Sequence, residues 1–275
     1  RLLSAMDDRL KKRQQTMLFL NRRGLSGFVS CRSCGKSIRC PHCDVTLSLH
    51  KDGSLRCHYC GYRIQMPKNC PSCGSPYISG FRAGTQQIER EVHRLFPQAR
   101  VLRMDYDTTR TRESYEQILS AFGNGQADIL VGTQMIVKGH DFPDVTLVGI
   151  VAADISLYAS DYRAAERTFQ LLTQAVGRAG RGSKAGEAVI QTYMPEHYSI
   201  QTAAKQDYDA FYEQEILYRE LMGYPPVDEM LGIYLSGKDL EKLESCAEQL
   251  AEWIRNAHVE GLCLIGPADA ALARK

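Results

Sequence analysis

Residues 31–73 read CRSCGKSIRCPHCDVTLSLHKDGSLRCHYCGYRIQMPKNCPSC and hold eight of the chain's ten cysteines. The eight form four Cys-x-x-Cys pairs, Cys31/Cys34, Cys40/Cys43, Cys57/Cys60 and Cys70/Cys73, with 5, 13 and 9 residues between successive pairs. A tight turn can present both sulfurs of a pair to one ion, and a zinc ion then needs a second pair to complete its tetrahedron. Four pairs therefore predict two zinc ions. Each is structural rather than catalytic, because four thiolates leave no position for a reacting water. A disulfide framework is the opposing reading. It suits short secreted chains, whereas this one has 275 residues of ordinary composition and no secretory signal at its start. Sequential pairing would enclose only five residues between the first two pairs. Nested pairing is expected instead: Cys40, Cys43, Cys57 and Cys60 hold one ion in a hairpin-like ribbon, and Cys31, Cys34, Cys70 and Cys73 hold the other at its base. His42, His50 and His58 are read as surface or supporting imidazoles, since the ligand sets are complete without them.

On either side of this block, strands alternate with helices. Residues 1–14 pattern as a helix with Leu3, Met6 and Leu10 on one face, and Thr16–Leu20 (T-M-L-F-L) as a short apolar strand. After the block come a helix over 85–96 with Ile88, Val92 and Leu95 aligned, a strand at Val101–Met104 and a helix over 113–122. A strand at Asp128–Val131 follows, then the almost wholly apolar strand Val145–Ala152, a helix over 164–176, and a strand at Ala188–Tyr193. A long helix to about Leu221 closes the series, with Tyr208, Phe211, Tyr212, Tyr218 and Leu221 read as a core stripe. This alternation predicts an α/β fold with a parallel sheet, into which the cysteine block is inserted. Gly223-Tyr224-Pro225-Pro226 breaks the pattern. Beyond it, strands at Met230–Leu235 and Leu262–Ile265 around an amphipathic helix predict the start of a small α+β domain. The expected division is 1–30 with 75–222 as a discontinuous lobe, 31–74 as the zinc insertion, and 223–275 as the small domain.

Net charge is only +2, so composition alone demands no polyanionic partner. Residues 22–82, however, hold ten Lys/Arg against two Asp. No apolar run approaches the roughly 20 residues of a membrane span. Thiol-rich zinc chemistry, with Cys246 and Cys263 read as core thiols, points to a reducing cytoplasm. Arg1 is no initiator, and the chain reads as part of a longer protein.

Two segments carry chemistry. Gly132-Thr133-Gln134 with Lys138-Gly139-His140-Asp141-Phe142 follows a strand, where open α/β sheets bind ligands. Gln174-Ala-Val-Gly177-Arg178-Ala-Gly180-Arg181-Gly182 ends a helix. Two arginines three residues apart across a small Ala-Gly step suit one phosphate. The same residues also suit a basic helix C-cap.

Together, Q-x-x-G-R-x-G-R after G-T-Q…K-G-x-D-F resembles motifs VI and V of superfamily 2 helicases. With the eight-cysteine insert after L-F-L-N-R-R-G, the chain resembles the bacterial replication-restart helicases of the primosomal protein N′ family, from about Leu18 to Pro226. It departs from that family at Leu25-Ser26, where an aromatic is common. The resemblance implies a RecA-like second helicase lobe of an ATP- and Mg2+-dependent 3′→5′ DNA helicase. It implies that Arg178, Arg181 and Gln174 serve catalysis at the γ-phosphate, and that Asp141, Gly139 and Gly177 line the nucleotide. Thr133, Gln134, Thr85, Arg22 and Arg23 would contact DNA. It implies branched and single-stranded DNA, single-stranded DNA-binding protein and primosome-loading proteins as partners, in the bacterial cytoplasm at the nucleoid. Gly35-Lys36-Ser37 is not a P-loop, lacking the glycine five positions earlier, and Asp228-Glu229 lacks the strand that precedes an acidic box. The first lobe is therefore expected upstream. The rival reading is a non-catalytic zinc-ribbon module on an α/β scaffold whose G-R-x-G-R loop merely binds phosphate.

Overall fold

The computed structural model describes residues 1–20, 28–50, 52–80, 84–137, 141–182 and 184–270. In chain order the elements are α1 (Leu2–Lys11), β1 (Gln15–Leu20), β2 (Val29–Cys31), β3 (Ser48–Leu49), β4 (Ser54–Arg56), β5 (Arg63–Gln65), β6 (Ile78–Gly80), α2 (Thr85–Leu95), β7 (Val101–Met104), α3 (Arg112–Gly123), β8 (Ile129–Gly132), β9 (Val145–Val151), α4 (Ala164–Val176), β10 (Glu187–Ile190), α5 (Tyr198–Lys205), α6 (Tyr208–Met222) and α7 (Leu240–Asn256). Short 3-10 turns lie at Gln134–Val137 and Ala153–Tyr158. The chain divides into two compact units. One comprises Arg1–Leu25, Phe81–Ala159 and Arg163–Glu215; the other comprises Ser26–Gly80, Ser160–Tyr162 and Ile216–Lys275.

The first unit is a five-stranded sheet in the order β10-β9-β1-β8-β7, every pairing parallel. β1 sits at the centre and is buried along its whole length. A central strand covered on both faces has no polar side to show, which is why T-M-L-F-L and Val145–Val151 read as continuous apolar runs. On one face Leu18, Ile129, Val131 and Leu147 pack with Met6 of α1 and with Val92 and Phe96 at the end of α2. Two stripes are rotated from their expected phase. Leu3 (51% exposed) and Leu95 (40%) face solvent, while Leu2 packs on the cluster and Phe96 is buried.

The second unit holds the cysteines. β2 and β6 pair antiparallel at the base, and β3-β4-β5 form an antiparallel meander. Val29, Val45, Leu47 and Leu55 make its small core with Cys40, Cys43 and Cys57.

Several expectations fail. The long Tyr-rich helix is two helices, α5 and α6, separated at Gln206, which adopts a left-handed conformation. Tyr208, Tyr212 and Leu221 are exposed, and the buried positions are Phe211, Glu215 and Arg219. The apolar spacing gave the wrong face because polar side chains fill the buried one: Tyr198 Oη donates to Glu215 at 2.6 Å, and Arg219 Nη1 donates to the Pro225 carbonyl at 2.6 Å. Met230–Leu235 and Leu262–Ile265 join no ladder among the described residues, because a strand pattern without a neighbouring strand gains no hydrogen bonds. Cys246 and Cys263 are exposed rather than core. Among the described residues α7 fully buries only Ala251, and Leu243, Leu250 and Ile254 of its apolar stripe are half-buried.

Candidate metal centres and helicase motif cluster

The four Cys-x-x-Cys turns share one backbone design. In each, a residue one past the second cysteine donates its N–H to the carbonyl of the first: Gly35 to Cys31 at 3.0 Å, Asp44 to Cys40 at 3.0 Å, Gly61 to Cys57 at 3.1 Å, and Gly74 to Cys70 at 2.8 Å. All four have positive φ, 73°, 47°, 78° and 72° respectively, which explains why three are glycine and the fourth is Asp, a tolerated exception. The C-x-x-C-G string was a signal in the sequence for this turn. Within the turns, Ser33 N–H and Tyr59 N–H each point at a cysteine Sγ, of Cys31 and Cys57, at 3.4 Å.

The turns bring the sulfurs together as nested pairs. Cys31, Cys34, Cys70 and Cys73 form one group and Cys40, Cys43, Cys57 and Cys60 the other, with all ligand atoms of each group within 4.8 Å of one another. A zinc–sulfur bond of about 2.3 Å requires tetrahedral sulfurs to lie roughly 3.8 Å apart. The observed separations of 3.6 Å (Cys31–Cys73), 3.7 Å (Cys34–Cys70) and 3.5 Å (Cys40–Cys60) fit that ion. The backbone N–H groups of Cys34 and Ser33 hold the Cys31 thiol down to about 6, whereas burial pushes Cys57 up to about 11. Among the described residues neither group includes a histidine. His42 sits edge-on to Tyr62, and the rings of His50 and His58 lie tilted at 46° with centroids 5.2 Å apart.

The inner site is buttressed by residues remote in sequence. Tyr224 is buried and donates its hydroxyl to the Cys43 carbonyl at 2.6 Å. Tyr162 stacks on Tyr224 with centroids 4.9 Å apart, and Arg219 lies 4.7 Å above Tyr162. Ser160 Oγ donates to the Thr46 carbonyl at 2.7 Å. A three-residue excursion of the chain, Ser160–Tyr162, thus belongs to the cysteine-bearing unit. Nothing in local periodicity announced it.

In the other unit the parallel sheet has a carboxyl edge, where strands end, and an amino edge, where they begin. The segment from Gly132 to Phe142 spans both. Thr133 and Gln134 follow the end of β8, while Asp141 lies before the start of β9. At the amino edge, Gly180 N–H donates to the Val145 carbonyl at 3.0 Å, seating the 177–182 loop on β9. Gly180 has φ +75°, and a Cβ there would lie 2.5 Å from Gly186 N. A Cβ on Gly182 would lie 2.4 Å from Pro143 O, so backbone packs directly on backbone.

This seating gathers Arg178, Arg181 and Asp141. Arg181 bonds Asp141 and donates Nε to the Gly177 carbonyl at 2.8 Å; Arg178 Nη1 lies 3.5 Å from Asp141 Oδ1. The side chain of Arg178 is 15% exposed and that of Asp141 is 67% exposed. Burial, then the neighbouring Arg181 charge, pull Arg178 below the usual arginine range, with Asp141 opposing. Two guanidiniums held side by side, one largely buried, make a place for an anion. Gln174 lies one turn before Arg178 on α4 and is exposed. Gly177 caps that helix.

At the carboxyl edge, Thr133 is 9% exposed and Gln134 half-buried. Thr85 is buried at the start of α2, and its hydroxyl donates to Asp105. Arg22, Arg23, Gly139, Leu25 and Ser26 lie outside the described residues.

Residues 40–64 match the family model of the PriA DNA helicase Cys-rich region domain, and residues 78–183 match that of the helicase conserved C-terminal domain. The replication restart protein PriA of Bacillus subtilis is 46% identical over 99% of this chain and 34% of that protein. The chain belongs to the PriA family. PriA of Synechocystis is 44% identical over 99% of this chain and 34% of its own length, and that of Haemophilus influenzae 38% over 100% and 38%. The chain thus spans about a third of the curated PriA relatives it matches. The PriA match takes in both the cysteine groups and the arginine loop, and the first unit has the fold of a helicase C-terminal lobe. No described helix is long and apolar enough to cross a membrane.

Proposed function

We propose that this chain forms the second motor lobe and Cys-rich module of an ATP-dependent 3′→5′ DNA helicase that acts at stalled replication forks and starts primosome assembly. The observation that carries the reading is the Arg178–Arg181–Asp141 cluster, locked onto the amino edge of β9 by backbone contacts that only glycine allows. Arginines offered by one lobe to a nucleotide held by another stabilise the charge that develops in phosphoryl transfer. In this reading Arg178 and Arg181 face the γ-phosphate, with Gln174 beside them. Asp141, Gly139 and Gly177 border the nucleotide. Asp141 also keeps the two cations apart from solvent anions until ATP arrives. Bound ATP with Mg2+ supplies the phosphoryl group and its counter-charge.

The chain contains no G-x-x-x-x-G-K-[ST] match. Its P-loop partner is assigned to a first lobe, and the 275 residues alone should not turn over ATP. Thr133, Gln134, Arg22 and Arg23 are assigned to the nucleic-acid backbone, and Thr85 to shaping that edge through Asp105. Cys31, Cys34, Cys70 and Cys73 hold one zinc, and Cys40, Cys43, Cys57 and Cys60 the other. The basic Cys-rich module is assigned to branched DNA and to partner proteins: single-stranded DNA-binding protein and the primosome loaders. The place of action is the bacterial cytoplasm at the nucleoid.

The deciding experiment measures DNA-stimulated ATP turnover and fork unwinding by the full-length enzyme, its Arg178→Ala and Arg181→Ala variants, and the 275-residue chain. Near-normal turnover in both variants, or DNA-stimulated turnover by the chain alone, sinks the reading.

A further inference from the structure

The carboxyl edge of the sheet carries two turns, one after each outermost strand, each tied down by a buried carboxylate: after β7 from within the turn itself, and after β10 from the neighbouring 3-10 turn. After β7, Asp105 is buried, and its Oδ1 accepts the backbone N–H groups of Asp107 at 3.0 Å and Thr108 at 3.1 Å. Thr109 Oγ1 donates to the Asp105 carbonyl at 2.6 Å, and Thr85 donates to the carboxylate. After β10, the backbone N–H groups of Tyr193 and Met194, at 2.9–3.1 Å, and the Thr192 hydroxyl donate to the buried carboxylate of Asp154, which reaches across from the 3-10 turn that follows β9. A buried carboxylate taking several backbone N–H groups fixes a turn firmly.

Each fixed turn presents one tyrosine to solvent. Tyr106 is 78% exposed and Tyr193 57% exposed, and among the described residues neither ring stacks on another ring. An exposed tyrosine is ordinary by itself. What is not ordinary is the pair: two exposed rings on two carboxylate-anchored turns, both on the edge that carries Thr133. On the β7 side the segments that follow β7 and β8 are tied together. Thr133 N–H donates to the Met104 carbonyl at 3.3 Å, and Thr109 Oγ1 lies 3.6 Å from Met135 Sδ. β7 and β10 lie four strand intervals apart in the sheet, or about 19 Å at the usual strand spacing. Exposed Arg110 and Arg112 follow Tyr106, so cation and aromatic occur together on the β7 side.

We propose that Tyr106 and Tyr193 are stacking platforms for unpaired bases of single-stranded DNA drawn along this edge. Sequence-tolerant single-strand binding combines backbone phosphate contacts with aromatic rings that stack on any base. Thr133 and the nearby cations supply the first, and the two tyrosines supply the second. The rings lie at the opposite edge of the sheet from Arg178 and Arg181, so they contact the nucleic acid and not ATP. This inference rests on the helicase reading above.

The test uses the full-length enzyme and a fluorescein-labelled oligothymidylate, with binding followed by anisotropy over a range of salt concentrations. Tyr106→Ala and Tyr193→Ala should each weaken binding by about 10- to 100-fold, the usual cost of one lost stack. Phenylalanine at either position should restore it. Neither alanine variant removes a charge, so the slope of log affinity against log salt should match wild type, whereas Arg110→Ala should lower that slope by about one. ATP binding without DNA should be unchanged. If wild-type enzyme binds the oligonucleotide and both alanine variants bind within twofold of it, the stacking assignment is wrong while the helicase reading stands. A changed salt slope in the alanine variants, or failure of phenylalanine to restore binding, also overturns the assignment. If wild-type enzyme binds no single strand and hydrolyses no ATP, the helicase reading itself has failed.

Discussion

Replacing Arg181 by alanine in the complete enzyme separates a functional loss from a structural one, because the two differ in size. Structurally, Arg181 makes an ion pair with Asp141 and one hydrogen bond to the Gly177 carbonyl at 2.8 Å. Its side chain is 43% exposed and that of Asp141 67%, so water screens the pair and its worth is at most about 1 kcal/mol. The bond to Gly177 adds about 1 kcal/mol. The variant should therefore lose no more than about 2 kcal/mol of unfolding free energy, and both zincs should remain. Functionally, an arginine facing the transferred phosphoryl group is worth about 10³-fold in turnover, or roughly 4 kcal/mol in the barrier. Arg181→Lys keeps a positive charge but loses the planar fork, and it should recover little of that loss. The assay pairs steady-state DNA-stimulated ATP hydrolysis with urea unfolding of the same preparations. Turnover within about tenfold of wild type would refute the phosphate-facing role. A stability loss well above the figure expected from the two contacts would show instead that Arg181 is a structural cap.

Elemental analysis should find two zinc ions per chain, and Cys57→Ser should lose the inner one. With a structural site worth on the order of 10 kcal/mol, the β3-β4-β5 meander should unfold while the first unit keeps its own core. In the full-length variant, unwinding should fall more than ATP hydrolysis; equal loss of both would contradict this division of labour. Tyr224→Phe removes the donor to the Cys43 carbonyl and should cost about 1–3 kcal/mol, read as faster inner-zinc release to a chelator; an unchanged release rate would count against the buttress. Gly180→Ala forces a Cβ onto a φ of +75° and into Gly186, and it should depress turnover by displacing the arginine loop; full activity would show that the loop adapts. The Asp128 carboxyl is held below its ordinary range, first by its hydrogen bond from Arg100. Its stabilisation is therefore complete above the unfolded-state value near 3.9 and disappears as pH falls through the lower folded value. Asp128→Asn should differ from wild type by a constant amount between about pH 5 and 7 and converge on it in acid, and divergence on acidification would reverse the sign.

The alternation of strand and helix was legible because a parallel sheet buries both faces of its strands, leaving Thr16–Leu20 and Val145–Val151 as unbroken apolar runs. Cysteine spacing carried the zinc groups because turn geometry ties two ligands to four consecutive residues of chain. Other features depend on where distant segments meet, and local pattern does not record that. Tyr224 reaches the Cys43 carbonyl across 181 residues. The stripes of α1, α2 and α6 were mis-phased because neighbouring apolar residues compete for the same face, and on α6 Glu215 and Arg219 were buried with polar partners. Met230–Leu235 has the composition of a strand but, among the described residues, no strand to pair with. The segment 132–142 looked like one site, yet its halves lie at opposite edges, since a chain leaving the end of β8 must travel to the other edge before it can begin the parallel strand β9.

That separation has a thermodynamic consequence. β9, Val145–Val151, is about 20 Å long at the usual rise per residue, so occupants of the two edges never touch. Whatever one occupant does to the other must travel as linkage through a sheet too tightly packed to deform gradually. Linkage is reciprocal. If nucleotide tightens the grip on a nucleic-acid strand by some factor, that strand tightens nucleotide by the same factor. Under the proposed reading, substitutions inside the sheet, such as Leu18 or Ile129, should change that coupling without altering the binding surface at either end.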